Sequence, residues 1–175
     1  MKLRWTDRGT ATVHCPVCRT AGPQPRIAKV KVDWQRRPVS IVRCTECATI
    51  VPSDILPPAT AYQGEYWDWD YYVEQAAGIE VIAATLALVD APPGSAFLDV
   101  GCGFGFGLDL GVNLRGWRGL GLDPSEGARR GAEALGLDLR QTLLDPDFEP
   151  GARFDVILCS EVVEHLRDPL PVLSE

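Results

Sequence analysis

Apolar and polar residues alternate through RIAKVKVDW (26–34) and again through VSIVRC (39–44), a period of two that predicts two short strands. The period then changes. Across VEQAAGIEVIAATLALVD (73–90), Val73, Ala76, Ile79, Ile82, Ala83, Leu86 and Val89 fall on one helical face, and PPG (92–94) is expected to end that helix. The apolar run AFLDV (96–100) reads as a buried strand, WRGLGLD (117–123) as a second and LDLRQTLL (137–144) as a third. FDVILC (154–159) is a fourth that runs into a helix, and GARRGAEALG (127–136) is a helix closed by Gly136. Strands alternating with helices predict an α/β domain. The breaks VPSDILPPAT (51–60) and APPGS (91–95) divide the chain into residues 10–56, 57–92 and 93–175.

The first part carries its chemistry in cysteines. Cys15 and Cys18 form CPVC, Cys44 and Cys47 form CTEC, and 25 residues separate the pairs. Each CxxC places two sulfurs on one turn, and two such turns supply the four thiolates of a tetrahedral Zn²⁺ site, with the intervening strands as hairpins. A redox CxxC lacks its βαβ surroundings here, and a disulfide framework lacks an export signal. Four thiolates close the coordination sphere, so the expected role of zinc is structural: a module of about 45 residues is too small to hold itself by core burial. His14 flanks the first pair as a competing ligand.

Charge supports two bodies with different surfaces. Residues 1–60 carry ten Lys and Arg against four acids, and residues 61–175 carry seven against twenty, so +6 is followed by −13. The acidic part is a poor partner for nucleic acid. The basic part is a solvated surface, or else the docking face of a non-catalytic zinc-ribbon module for an acidic carrier protein or nucleic acid. At 175 residues and 46% hydrophobic content the chain should fold around a real core. No segment has the pattern of a signal peptide or a membrane span, which makes a cytoplasmic protein without membrane partners the expectation.

The stretch LDVGCGFGFG (98–107) places an acid at the end of a strand and glycines at 101, 103, 105 and 107. A phosphate loop would need GxxxxGK[ST], but no lysine follows Lys31. A dinucleotide GxGxxG fails as well, because Phe106 stands where glycine is required from Gly101, and Leu108 from Gly103. Bare backbone next to a carboxylate suits a cationic ligand. These residues resemble the first motif of class I S-adenosylmethionine-dependent methyltransferases. The resemblance extends to Asp123 at the end of strand two and to FDVILCSEVVEHLRDP (154–169), close to the family's FDVIxxxEVxEHxxDP.

The resemblance implies a Rossmann-like sheet ordered 3-2-1-4, preceded by a zinc ribbon as in zinc-ribbon enzymes that methylate sugars and natural products. It implies S-adenosylmethionine held by Asp99, Gly101, Gly103, Gly105 and Ser160, with its ribose on Asp123 and its adenine near Leu143 or Asp145. Asp123 before Pro124 also reads as a helix cap, and both roles are compatible. The acid that many relatives place after strand three is absent from Thr142 and Leu143. A small-molecule substrate methylated on oxygen or carbon is expected, with an RNA substrate disfavoured by the acidic cofactor half.

Candidate catalytic residues are Glu161 and His165, four apart and so on one helical face, one of them taking the acceptor's proton. The alternative is that Glu164 and His165 only cap and pack that helix. Cys102 and Cys159 read as small buried residues rather than nucleophiles. Tyr62, Tyr66 and Tyr71, in YQGEYWDWDYY, pack between the two parts or line the ligand pocket. The sequence reaches Glu175 inside the helix after strand four, so it is expected to be a fragment of a longer protein.

Overall fold

The computed structural model describes residues 3–4, 9–31, 38–53, 78–144, 153–166 and 169–174. Tyr62, Tyr66, Tyr71, Val73, Ala76 and Asp145 lie outside the described residues. Two compact units divide the chain, Met1–Leu56 with Leu166–Glu175, and Pro57–His165.

The first unit is antiparallel: β1 (Leu3–Arg4), β2 (Thr10–His14), β3 (Ala21–Val30), β4 (Val39–Arg43) and β5 (Ile50–Pro52). They assemble in the order β1-β3-β4-β5, with β2 also on β3. The alternating stretches are strands as expected, but β3 begins five residues before Arg26, and its partner β2 is additional. The register pairs Thr10 with Pro25 and Thr12 with Pro23, so β3 runs through two prolines. The amide of Arg26 donates to Gly9 O, which sends the even-numbered amides toward β2. Pro23 and Pro25 therefore face the other edge, where β4 begins its pairing only at Arg26, and no ladder bond is lost. Val13, Val42 and Val51 form the buried cluster, which is small for an independent fold.

The second unit runs α1 (Ile79–Ala87), β6 (Ala96–Val100), α2 (Phe106–Asp109, continuing as a π-turn Leu110–Leu114), β7 (Arg118–Asp123), α3 (Glu126–Leu135), β8 (Leu139–Gln141) and β9 (Val156–Cys159). A short 3₁₀ turn (Val163–His165) follows β9, and α4 (Pro169–Ser174) comes last in the chain. The sheet order is β8-β7-β6-β9, all parallel, which is the expected 3-2-1-4. β6 is buried on both faces. Phe97 packs with Leu108 and Trp117 on one side, its ring meeting that of Trp117 edge-on at 5.3 Å, while Leu98, Val100, Leu120 and Leu122 fill the other. The period of two puts Asp99 on the Phe97 side.

α1 stops at Ala87, five residues short of Pro92, so the prolines do not end it. The carbonyls after it are taken from elsewhere: Arg115 donates to Val89 O and Trp117 Nε1 to Ala91 O, which directs the chain into β6. α3 ends at Gly136 in the left-handed conformation (φ 68°), as expected of a glycine cap.

Candidate cofactor and metal sites

Each CxxC pair closes a hairpin with the same turn, written CPVCRT and CTECAT. In the first, Cys15 N–H donates to Thr20 O and Arg19 N–H to Cys15 O. In the second, Cys44 N–H donates to Thr49 O and Ala48 N–H to Cys44 O. Arg19 (φ 66°) and Ala48 (φ 62°) take the left-handed conformation that tightens each turn. The pairing of β3 with β4 then brings the two turns together. All four sulfurs lie within 4.8 Å of one another, with Cys15 and Cys47 at 3.7 Å and Cys18 and Cys44 at 3.5 Å. Tetrahedral zinc–sulfur bonds of about 2.3 Å would separate sulfurs by about 3.8 Å, so the donor set fits a closed zinc site. The Thr20 hydroxyl and then its amide pull the Cys18 thiol down to about 6, while the Cys44 thiol in the same cluster is raised to about 11. Cys47 is lowered in the same way by Thr49. His14 is exposed on β2 and is not part of this cluster.

A cavity of about 320 Å³ opens at the carboxyl end of β6, a size suited to a small ligand. Asp99, Gly101, Phe104, Phe106, Ser160 and Glu161 help line it, as does the first turn of α1 through Ile79 and Ile82. Among the described residues, none that lines it is a lysine, arginine or histidine. Asp99 is 4% exposed. Burial, then the charge of Asp123, push its carboxyl up to about 7, and the amide of Leu108 partly offsets the rise. The glycine loop is left-handed at Gly101, Gly103 and Gly105, a path that side chains would strain.

Asp123 stands at the end of β7, where one carboxylate oxygen accepts from the Ser125 amide (2.8 Å) and hydroxyl. The other accepts from the amide of Gly103 (3.1 Å), so Asp123 ties the turn before α3 to the glycine loop; the N-cap of α3 is Ser125, not Asp123 as the cap reading expected. Gly131 of α3 passes so close under the Phe104 carbonyl that a side chain there would collide with it. Leu143 lies beyond β8 with its side chain exposed, and the amide of neighbouring Thr142 donates to Asp123 O.

The helical pairing of Glu161 with His165 is not what forms. Glu161 adopts φ 57°, and only the single turn Val163–His165 follows, so the two do not share a helical face. Next to Glu161, Val162 packs against Gly101, filling the space where a Cβ would stand. Glu161 lines the cavity, whereas exposed His165 does not. Cys102 is buried, and desolvation keeps its thiol well above the ordinary range; Cys159 is raised for the same reason. Cys102 is buried as expected, whereas Cys159 is only half-buried. Phe104, Phe106 and the apolar residues of α1 were not singled out as site residues by sequence; the alternation of phenylalanine with glycine through 103–107 was the available signal.

Residues 98–175 match the family model for a methyltransferase domain. Similar curated proteins include a ubiquinone biosynthesis O-methyltransferase of Ruegeria sp. (strain TM1040), 36% identical over 150 residues, a match covering 73% of this chain and 58% of that protein. Another, of Ruegeria pomeroyi, is 35% identical over 146 residues, covering 71% and 57%. The chain thus spans somewhat over half the length of these relatives. Among solved structures, a mycolic acid cyclopropane synthase complexed with SAH and CTAB aligns with a TM-score of 0.39 and 28% identity, covering 58% of this chain and 38% of that one. No described helix is long and apolar enough to cross a membrane.

Proposed function

We propose that the chain contains the cofactor-binding part of an S-adenosylmethionine-dependent O-methyltransferase acting on a small molecule, with residues 10–56 as a zinc ribbon, 57–92 as a connector and 93–175 in the methyltransferase domain. The observation that carries this reading is the buried Asp99 carboxylate in the wall of a cavity with no cationic side chain among its described lining residues, beside a glycine loop. Such a cavity favours a ligand that brings positive charge, as the methionine end of S-adenosylmethionine does.

When bound, S-adenosylmethionine supplies an electrophilic methyl group. Asp99 answers the ligand's ammonium, Gly101, Gly103 and Gly105 let the backbone approach it, and Ser160 bounds its methionine end. Asp123 accepts from the ribose diol with lone pairs left over from its contacts to Ser125 and Gly103. The Leu143 backbone and side chain border the adenine. Glu161, in the cavity wall, takes the proton of the acceptor hydroxyl, with His165 as the second candidate base. The names of the similar proteins support oxygen as the acceptor atom. Zinc on Cys15, Cys18, Cys44 and Cys47 holds the ribbon together, because four thiolates leave no position open for substrate.

Calorimetric titration of S-adenosylmethionine into the zinc-loaded chain tests the reading. One site per chain is expected, weakened at least tenfold by Asp123→Ala. A folded, zinc-loaded chain that takes up no S-adenosylmethionine overturns it.

A further inference from the structure

The two knuckles share one turn, but they differ at the position after the first cysteine. In the first knuckle that residue is Pro16, which has no N–H. In the second it is Thr45, which has one. The amide of Thr45 goes to Gln24, whose Oε1 accepts from Thr45 N (2.9 Å) and from the Thr45 hydroxyl (3.2 Å).

Gln24 lies on β3, in the hairpin of the first knuckle, opposite Ala11 of β2. Its side chain is 2% exposed, and it is the one buried polar side chain among the described residues of the first unit. Burying an amide side chain costs free energy unless its polar atoms are bonded. Its bonds run to the opposite knuckle. The contact therefore joins CPVC to CTEC through a group that is neither a cysteine nor a neighbour of one.

We infer that Gln24 is a positioning residue of the metal site, a strut that sets the second knuckle at the spacing at which all four sulfurs meet one ion. The inference rests on the zinc reading given above. Two knuckles on separate hairpins can each be well formed and still stand too far apart or turned relative to each other. The β3–β4 ladder fixes their approach only through backbone pairing that includes an irregularity between Arg26 and Ala28, on the side of β3 next to Gln24. A side-chain bond made at the knuckle itself removes that freedom. Proline at 16 explains why one strut suffices: the first knuckle has no corresponding amide to fix.

The test is a double-mutant cycle on the full 175-residue chain. Zinc affinity is read by chelator competition, and ligand geometry by the visible spectrum of the Co²⁺-substituted protein. Gln24→Met keeps the size and removes the acceptor, and it is expected to weaken zinc about 10- to 100-fold, as loss of an outer partner of a metal site does. Thr45→Pro copies the first knuckle and removes the donor; in that background the same Gln24→Met change should shift affinity by less than about threefold if the pair acts as a unit. Equal losses in both backgrounds, or no loss in either, overturn the inference by showing that Gln24 acts as packing or not at all. Should Gln24→Met fail to hold metal, amide hydrogen exchange in zinc-loaded Gln24→Asn decides: the Thr45 amide is expected to lose protection while that of Ala48 keeps it, and unchanged protection at Thr45 overturns the strut. A wild-type chain that binds no stoichiometric zinc instead removes the reading beneath it.

Discussion

The carboxylate of Asp99 lies directly over Gly107, where a Cβ added to the glycine would stand 2.7 Å from Oδ2. The strand and the first turn of α2 are in contact there through a charge-bearing group. Gly107→Ala must push Asp99 toward the cavity or lift the helix, at a cost of about 1–3 kcal/mol typical of an overpacked interior. Chemical denaturation should show that loss, with a fall in S-adenosylmethionine affinity in the same variant.

The raised Asp99 carboxyl gives a signed pH dependence. Its ordinary value of 3.8 applies in the unfolded chain and about 7 in the fold. Between these values the folded state holds more protons, so the contribution of Asp99 to stability is present at the acid end and is lost as pH rises toward 7. Asp99→Asn removes this slope, and the difference between the wild-type and variant denaturation profiles over that window isolates it. A cationic ligand favours the ionised carboxylate, so cofactor affinity should rise with pH through about 7 in the wild type and not in Asp99→Asn.

Asp123 serves two protein contacts and, in the proposed function, a ligand. Asp123→Asn keeps a carbonyl for the Ser125 amide but loses an acceptor for either Gly103 or the ribose. It should cost about 1 kcal/mol of stability and at least tenfold in cofactor affinity. Asp123→Ala also leaves the Ser125 amide and hydroxyl without their acceptor, for a further cost of about 1 kcal/mol. Denaturation and calorimetry on the two variants separate the turn contact from the ligand contact.

Stripping zinc with a chelator should unfold the ribbon, since Val13, Val42 and Val51 bury too little to hold it alone. Limited proteolysis should then cut within residues 10–53 while the β6–β9 sheet stays protected. Equal resistance with and without metal would show that the cysteines are not a structural zinc site.

The parts of this architecture written in local pattern were legible in the sequence. β6 was readable to the residue because a strand buried on both faces is a bare apolar run, and the Gly136 cap because few other residues accept φ 68°. The start of β3 was hidden, as AGPQP reads as a turn until β2 is known to lie on the edge the prolines do not need. Spacing placed Glu161 and His165 together only on the assumption of a helix. Glu161 instead takes a left-handed φ of 57°, and its neighbour Val162 packs against Gly101, a long-range contact that no local pattern records. Gln24 was invisible for the same reason: its meaning depends on Thr45 in the other hairpin.

The repeated turns CPVCRT and CTECAT also set an order of events. Each is closed by its own backbone bonds, so each can form while the other is still unformed. A metal ion held first by one pair of thiolates would then wait on the 25 residues between the pairs to bring up the second. Capture would be a tethered encounter at high effective concentration, and release would begin with whichever knuckle opened first.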